Sequence, residues 1–357
     1  MKRFQMHAIL GAVMALCVAS AGAAAAPSPE TYHLEAAIPV PGSATGWDYH
    51  AFDATSGRMF IAHRADGLQV YDTRAGAVVA TIADSKNTNT AALATEFDIG
   101  IAGTTDGDVV VFKPTTLETL ARYKSATAGF DGAAYDPVSR RFAMVGEADE
   151  RTHRTPVLFF DGRTGQPAGT VIVDSAKVDA PRADGQGHLF LPLRDRARVA
   201  KVDSVALKVI TTLPLAGCAQ PAALELDRTT QRVFVGCRGD AKSAPALVVL
   251  DMASGRQRAR LPIGRGVDEV LFDERAQAVM TANGEEGSLT VIRRLPQDHY
   301  RVTATIGTRP RARTGVLDPA TGKIYLVTAQ YIDTYPEGED AKTAYLPDTF
   351  TVLTYAP

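Results

Sequence analysis

The sequence predicts an all-β chain closed into a single ring of seven four-stranded sheets. Three observations lead there. One unit recurs seven times, its spacing suits four strands per unit, and the last unit lacks a strand that the N-terminal end can supply. The first unit, residues 46–82, reads as a short apolar run ending in Asp, a turn, a strand, a second turn and two further strands. The run-ending residues of the seven units are Asp53, Ala94, Asp136, Asp184, Asp227, Asp273 and Asp318, spaced by 41, 42, 48, 43, 46 and 45 residues. A propeller blade of four strands takes about 40 to 50 residues. The expectation is therefore one seven-bladed β-propeller, with blades at about 43–84, 85–126, 127–174, 175–217, 218–264, 265–308 and 309–357, the last completed by 30–42.

The strands follow in order within each unit. Second strands are short and apolar, as in Met59-Phe60-Ile61, Val233-Phe234-Val235 and Ile324-Tyr325-Leu326. Third strands end in Asp, as in Val70-Tyr71-Asp72, Phe159-Phe160-Asp161 and Val249-Leu250-Asp251. Fourth strands include Val78–Ile82, Val209–Leu213 and Val302–Ile306. Between them, Asp53-Ala-Thr-Ser-Gly57 and Asp318-Pro-Ala-Thr-Gly322 place Asp at a turn start and Gly where φ must be positive. Asp66-Gly67 and Asp106-Gly107 are hairpin signals. No 12-residue stretch sustains a helical period, so helices should be few. The seventh unit ends on its third strand, Thr349–Thr354, and the segment Tyr32–Val40 resembles a fourth strand. Pairing the two would tie the chain ends together and remove an open sheet edge.

Residues 1–26 read as a secretory signal peptide. Lys2 and Arg3 precede an apolar stretch from Ala8 to Val18, and small residues follow to Ala26. The expected location is the periplasm or the cell exterior, with no membrane span once the signal is removed. The whole chain carries 38 basic and 40 acidic residues, and loss of Lys2 and Arg3 leaves it more acidic still. Such a balance argues against nucleic acid as a partner. Two of the three cysteines, Cys218 and Cys237, remain after residue 26. Both should fall near one rim, as a disulfide that export permits or as a thiol pair for a soft metal such as Cu(I).

The run Asp318-Pro-Ala-Thr-Gly-Lys-Ile-Tyr325 resembles bacterial YVTN-type (YncE-like) propellers. So do Cys218-Ala-Gln-Pro221 with Arg232–Arg238, Gly266-Val-Asp268 with Ala282-Asn-Gly284, and Ala312-Arg-Thr314. Gln220 and Gln330 depart from the pattern, which usually has acids there. The resemblance implies fold and export, and little about activity.

The position five residues before each run end should line the central channel. Its occupants are Asp48, Asn89, Asp131, Asp179, Ala222, Asp268 and Arg313. Ten residues after the run end, the second strand closes on His63, Gly146, Cys237, Asn283 or Thr328. Simple hairpin register sets Asp48 opposite His63, Asp268 opposite Asn283 and Ala222 opposite Cys237. One reading is a channel-mouth site for a polyhydroxyl ligand or a divalent cation, Ca²⁺ or Mg²⁺, with Zn²⁺ entering if His63 joins Asp48, Asp268 and Asn283. The other is that the aspartates cap strand starts or are held by Arg313. The segment Tyr331–Asp348 reads as a long loop over one face. No nucleophile elbow, zinc-protease or phosphate-loop motif is present. The functional expectation is a binding or scaffold protein that takes a small molecule or a protein at the loop face. The alternative is a metal-dependent hydrolase or lactonase using the channel Asp, Asn and His residues.

Overall fold

The computed structural model describes Met1 and residues 32–43, 46–337 and 342–357. The signal-peptide reading of residues 1–26 lies outside the described residues. Seven four-stranded antiparallel sheets form the ring expected from the repeat. Blade one comprises Ala51–Asp53, Arg58–His63, Gly67–Asp72 and Ala77–Thr81. In six blades the strand order follows the chain. In the seventh, Gly315–Leu317, Ile324–Thr328 and Thr351–Ala356 are joined by His33–Pro39, with Ile38 opposite Val352. Among the described residues the only helical elements are two single turns, Thr95–Phe97 and Pro296–Asp298.

Burial explains the residue choice. The second strand of each blade is packed between neighbouring blades on both faces, so it reads as an unbroken apolar run; Met59, Phe60, Ile61 and Ala62 have no exposed surface. Outer strands alternate, as Ala77–Thr81 and Thr119–Lys124 show, because one face meets water. The apolar clusters therefore lie between blades. The seam that closes the ring joins Met59 and Ile61 of blade one to Val327 and Val352 of blade seven, with Ile38 of the closing strand packed alongside.

One expected loop carries structure. Tyr331–Thr334 and Lys342–Tyr345 pair as a hairpin that projects from blade seven beside the channel. Tyr345 packs on Trp47 with ring centroids 4.8 Å apart, and Arg311 holds both carboxylate oxygens of Asp333 at 3.1 Å while lying over the Tyr331 ring. Alternating residues in a short segment suffice for two paired strands, which the Tyr- and Pro-rich composition concealed.

Candidate ligand site at the channel mouth

The innermost strands do not run in plain register to the channel. In blade two the pairs Ala94–Ile99 to Thr90–Gly103 are regular, and then Thr88 pairs with Thr104, leaving Asn89 as an extra residue. The same slip isolates Ala222 between Pro221 and Ala223 in blade five and Asp268 between Val267 and Glu269 in blade six. Asp131 lies within the corresponding irregularity of blade three. In blade one the Asp48 amide donates to the Ala62 carbonyl (3.1 Å), and in blade four the Asp179 amide donates to Pro192 (3.3 Å), the bonds that such a slip creates. In blades one to six the ring position thus sits at a β-bulge or register slip, a device that kinks the strand and re-aims a side chain.

The bulge overturns the register expected from sequence. Asn283 stands opposite Val267, and Cys237 stands opposite Pro221. Asp48, His63, Asp268 and Asn283 consequently do not gather into one coordination shell. His63 is buried away from the channel, its ring stacked on Phe350 at 3.9 Å and its Nδ1 3.0 Å from Gln69 Oε1. Asn283 donates to Ser288 (3.2 Å) and Thr290 (3.0 Å) within its own blade. Among the described residues no three His, Cys, Asp or Glu side chains are placed to hold a metal ion. The extra residue per bulge is the physical reason: hairpin counting assumes none.

The ring residues themselves do meet. Asp48, Asp131, Asp179, Asp268 and Arg313 line a polar pit of 170 Å³ at the mouth, together with Tyr49, Lys177, Arg194 and Arg238. A wider hollow of 480 Å³ adjoins it through Asp48, Asp131 and Lys177 and adds Arg64, Asn89 and Glu147. Basic side chains pair the acids. Lys177 bonds Asp131, Arg238 bonds Asp268, and Arg313 lies 3.1 Å from the other Asp268 oxygen. Arg64 reaches Asp48 at 3.3 Å while donating to Asn89 at 3.0 Å. Asn89 in turn donates to the Phe130 carbonyl (3.0 Å), so it steadies Arg64 across two blades.

Asp179 is different. Its residue is 3% exposed, its Oδ2 has no hydrogen-bond donor, and its ion-pair partner Arg194 stands at 3.9 Å. Burial, with Asp131 and Asp268 nearby, raises its pKa well above the ordinary carboxylate range. Burial likewise lifts Asp48 to about 7, against the pull of Arg313 and with Asp131 and Asp268 adding to the rise. Burial works against the charge of Lys177 and Arg238, yet the aspartates beside them hold both pKa values above the usual ones.

Four of these partners escaped the sequence reading, although a signal existed. One residue beyond each second strand, eleven after the run end in blades one and five, stand Arg64 and Arg238; blade four, whose turn is one residue shorter, places Arg194 there. The same count extended by one would have found them. Lys177 precedes its strand, where no repeat pattern points. Tyr49, which follows Asp48, was also missed: it lines both the pit and a larger funnel of 620 Å³ at the opposite end of the channel. Space for it comes from the small residues at the equivalent positions of blades three, four and five, Gly132, Ala180 and Ala223. A Cβ on Gly132 would lie 2.3 Å from the Ala180 backbone, so that place admits only glycine.

In the funnel, Arg182 bonds Glu225 (3.0 Å) and Glu269 (2.6 Å). Burial raises the Glu269 carboxyl to about 8, Arg182 pulling the other way. His50 fills the seam between blades one and seven: the Ala62 amide donates to its Nδ1 and Thr314 Oγ1 lies 3.3 Å from its Nε2. Burial lowers its pKa to about 3. Cys218 and Cys237 form a disulfide with Cα atoms 5.4 Å apart. It fixes the end of the strand from which Arg238 departs.

Comparison with solved structures places this architecture. Superposition on the crystal structure of RRP9 WD40 repeats gives a TM-score of 0.72 at 8% identity, covering 91% of this chain and 100% of that one. A chain of the mitotic checkpoint complex gives 0.70 at 13% identity, covering 94% and 99%. Hydrazine synthase of Kuenenia stuttgartiensis gives 0.66 at 11% identity, covering 86% and 97%. At such identities the likeness is one of fold. No family model matches the chain, and no curated protein matches its sequence. Among the described residues no helix is long and apolar enough to cross a membrane.

Proposed function

We propose that the chain is an exported, YVTN-type binding propeller that holds a small polar ligand at the channel mouth, in the pit around Asp179. The observation that carries this reading is the buried, undonated Asp179 Oδ2 in a wholly polar pocket, since an orphaned buried acceptor costs about 1–3 kcal/mol unless something binds it. Export rests on the leader-like residues 1–26, and the family on the motifs around 218–238 and 318–325. The hydrolase alternative draws no support from His63 and Asn283, which are engaged elsewhere.

A thermal-shift screen of small polar metabolites tests the site. Stabilising compounds should lose their effect in Asp179→Ala, while equal stabilisation of that variant would place binding elsewhere. Fractionation of cells expressing the full chain tests export: recovery in the cytosol with residues 1–26 intact would refute it. A protein partner at the same face is a second reading, favoured by Ile332 and Tyr335, which the hairpin exposes to solvent beside the mouth. A partner held there should be released by Ile332→Asp with Tyr335→Asp; retention would dismiss it.

A further inference from the structure

The channel mouth is layered by charge. The five cationic side chains are the accessible ones, 21–49% exposed for Arg64, Lys177, Arg194, Arg238 and Arg313, whereas the four aspartates behind them are 5–17% exposed. The acids thus act as an inner rim that orients the cations, and the surface offered to a ligand is basic although the whole chain is slightly acidic. With Glu147, which lines the hollow beside Arg64, five bases face five acids, so the basic character lies in which side chains reach solvent and not in a net surplus. At the bottom the same pit presents an acceptor, Asp179 Oδ2, that only a donor can satisfy.

We infer that the channel-mouth site recognises a small hydroxylated organic anion: a carboxylate or phosphate group seated among Lys177, Arg194 and Arg238, with a neighbouring hydroxyl donating to Asp179. This rests on the reading of the mouth as a ligand site and names the chemistry that the site selects. The guanidinium forks of Arg194 and Arg238 suit a planar oxyanion, and Lys177 supplies a point charge. The pit of 170 Å³ accommodates the charged head, and the 480 Å³ hollow receives the remainder of the molecule. A metal ion would have to displace cations already paired with the same aspartates.

Four probes separate the parts of this inference: D-gluconate with oxyanion and hydroxyls, acetate with the oxyanion alone, D-glucose with hydroxyls alone, and putrescine as a cation. Calorimetric titration of the purified chain at fixed ionic strength should show gluconate binding at least about tenfold more tightly than either single-feature probe, a difference of about 1.4 kcal/mol. Putrescine should not bind. Asp179→Asn should erase the preference of gluconate over acetate and leave acetate unchanged. Arg194→Gln, chosen because its one ion pair in the pit is as long as 3.9 Å, should weaken gluconate and acetate alike by about tenfold, and should melt near the parent temperature. Arg238→Gln should repeat the loss. Putrescine or Ca²⁺ binding that is abolished in Asp179→Asn would overturn the anionic class and leave the site standing. No heat from any probe up to about 10 mM would overturn both. Gluconate binding undiminished in Arg194→Gln and Arg238→Gln would move the oxyanion out of the pit.

Discussion

The two ends of the channel are built from the same seven strands and hold their charges in opposite ways. At the mouth, four aspartates on bulges are matched by Arg313 from the same ring position and by four basic side chains beside it, all of which remain partly wet. At the other end, one arginine, Arg182, serves two glutamates on regular strand positions, and Glu269 is almost fully enclosed. Both arrangements pair every kind of charge, but only the mouth leaves a buried acceptor open, at Asp179. The difference teaches that the ring of acids is not by itself a mark of function. Where the pairing is closed, the cluster organises the channel; where it is left incomplete beside solvent, a ligand has somewhere to act.

The largest effect should come from breaking the closed end. Arg182→Ala strands Glu225 and Glu269 in the channel, and removal of one partner from a buried ionic group costs about 3 kcal/mol or more. Denaturant melts of the variant should show that loss; a change under about 1 kcal/mol would mean that water already reaches both glutamates.

Next comes the brace at the mouth. The Cys218–Cys237 bridge joins residues 19 apart in the chain, which corresponds to about 3 kcal/mol of unfolded-state constraint. The Cys218→Ala, Cys237→Ala double variant should lose roughly that much by chemical denaturation and should also loosen Arg238. Hydrogen-exchange protection of the Val316 and Leu317 amides, which line the funnel, should not respond; equal disturbance of both ends would show that the bridge supports the whole ring.

The two ends also differ in their pH windows. Asp48 has a folded pKa of about 7 against an ordinary 3.8, and Glu269 about 8 against 4.5. In both cases the folded state keeps a proton that the unfolded chain has released. Stability contributed by these groups is therefore present below the ordinary value and lost as pH rises through the folded one. Asp48→Asn should flatten the decline between about pH 4 and 7, and Glu269→Gln the decline between about pH 4.5 and 8. Melting temperatures that rise with pH across those windows in the parent chain would contradict the assignment.

The smallest effect belongs to the wet rim. Arg64 is more than a third exposed, and its pair with Asp48 is screened, so Arg64→Ala should cost under about 1 kcal/mol. A loss as large as that of Arg182→Ala would erase the distinction between the two ends.

Much of this molecule can be read without coordinates. Repeat spacing, turn residues and the spare strand at 32–40 specify seven blades and their closure, because a four-stranded blade needs a fixed length and its strands a period of two. The same counting finds Asp48, Asp131, Asp179, Asp268 and Arg313, which do share one pit. Lys177 was not found, because it precedes its strand where no repeat pattern points; Arg64, Arg194 and Arg238 stand one residue past the counted position, and the acid each one meets is set by where the ring places the strands. The pairing of Asp268 with Asn283 failed for a more local reason: one extra residue at the bulge shifts every register count by one. Sequence alone thus determined the number of blades, their order and the residues that face the channel, since these follow from local periodicity. Only the tertiary structure decided which charges neutralise one another and which oxygen, Asp179 Oδ2, is left without a hydrogen-bond donor, because those depend on how the ring sets strands and loops side by side, bringing together pairs such as Arg64 and Asp48, 16 residues apart, and Lys177 and Asp131, 46 apart.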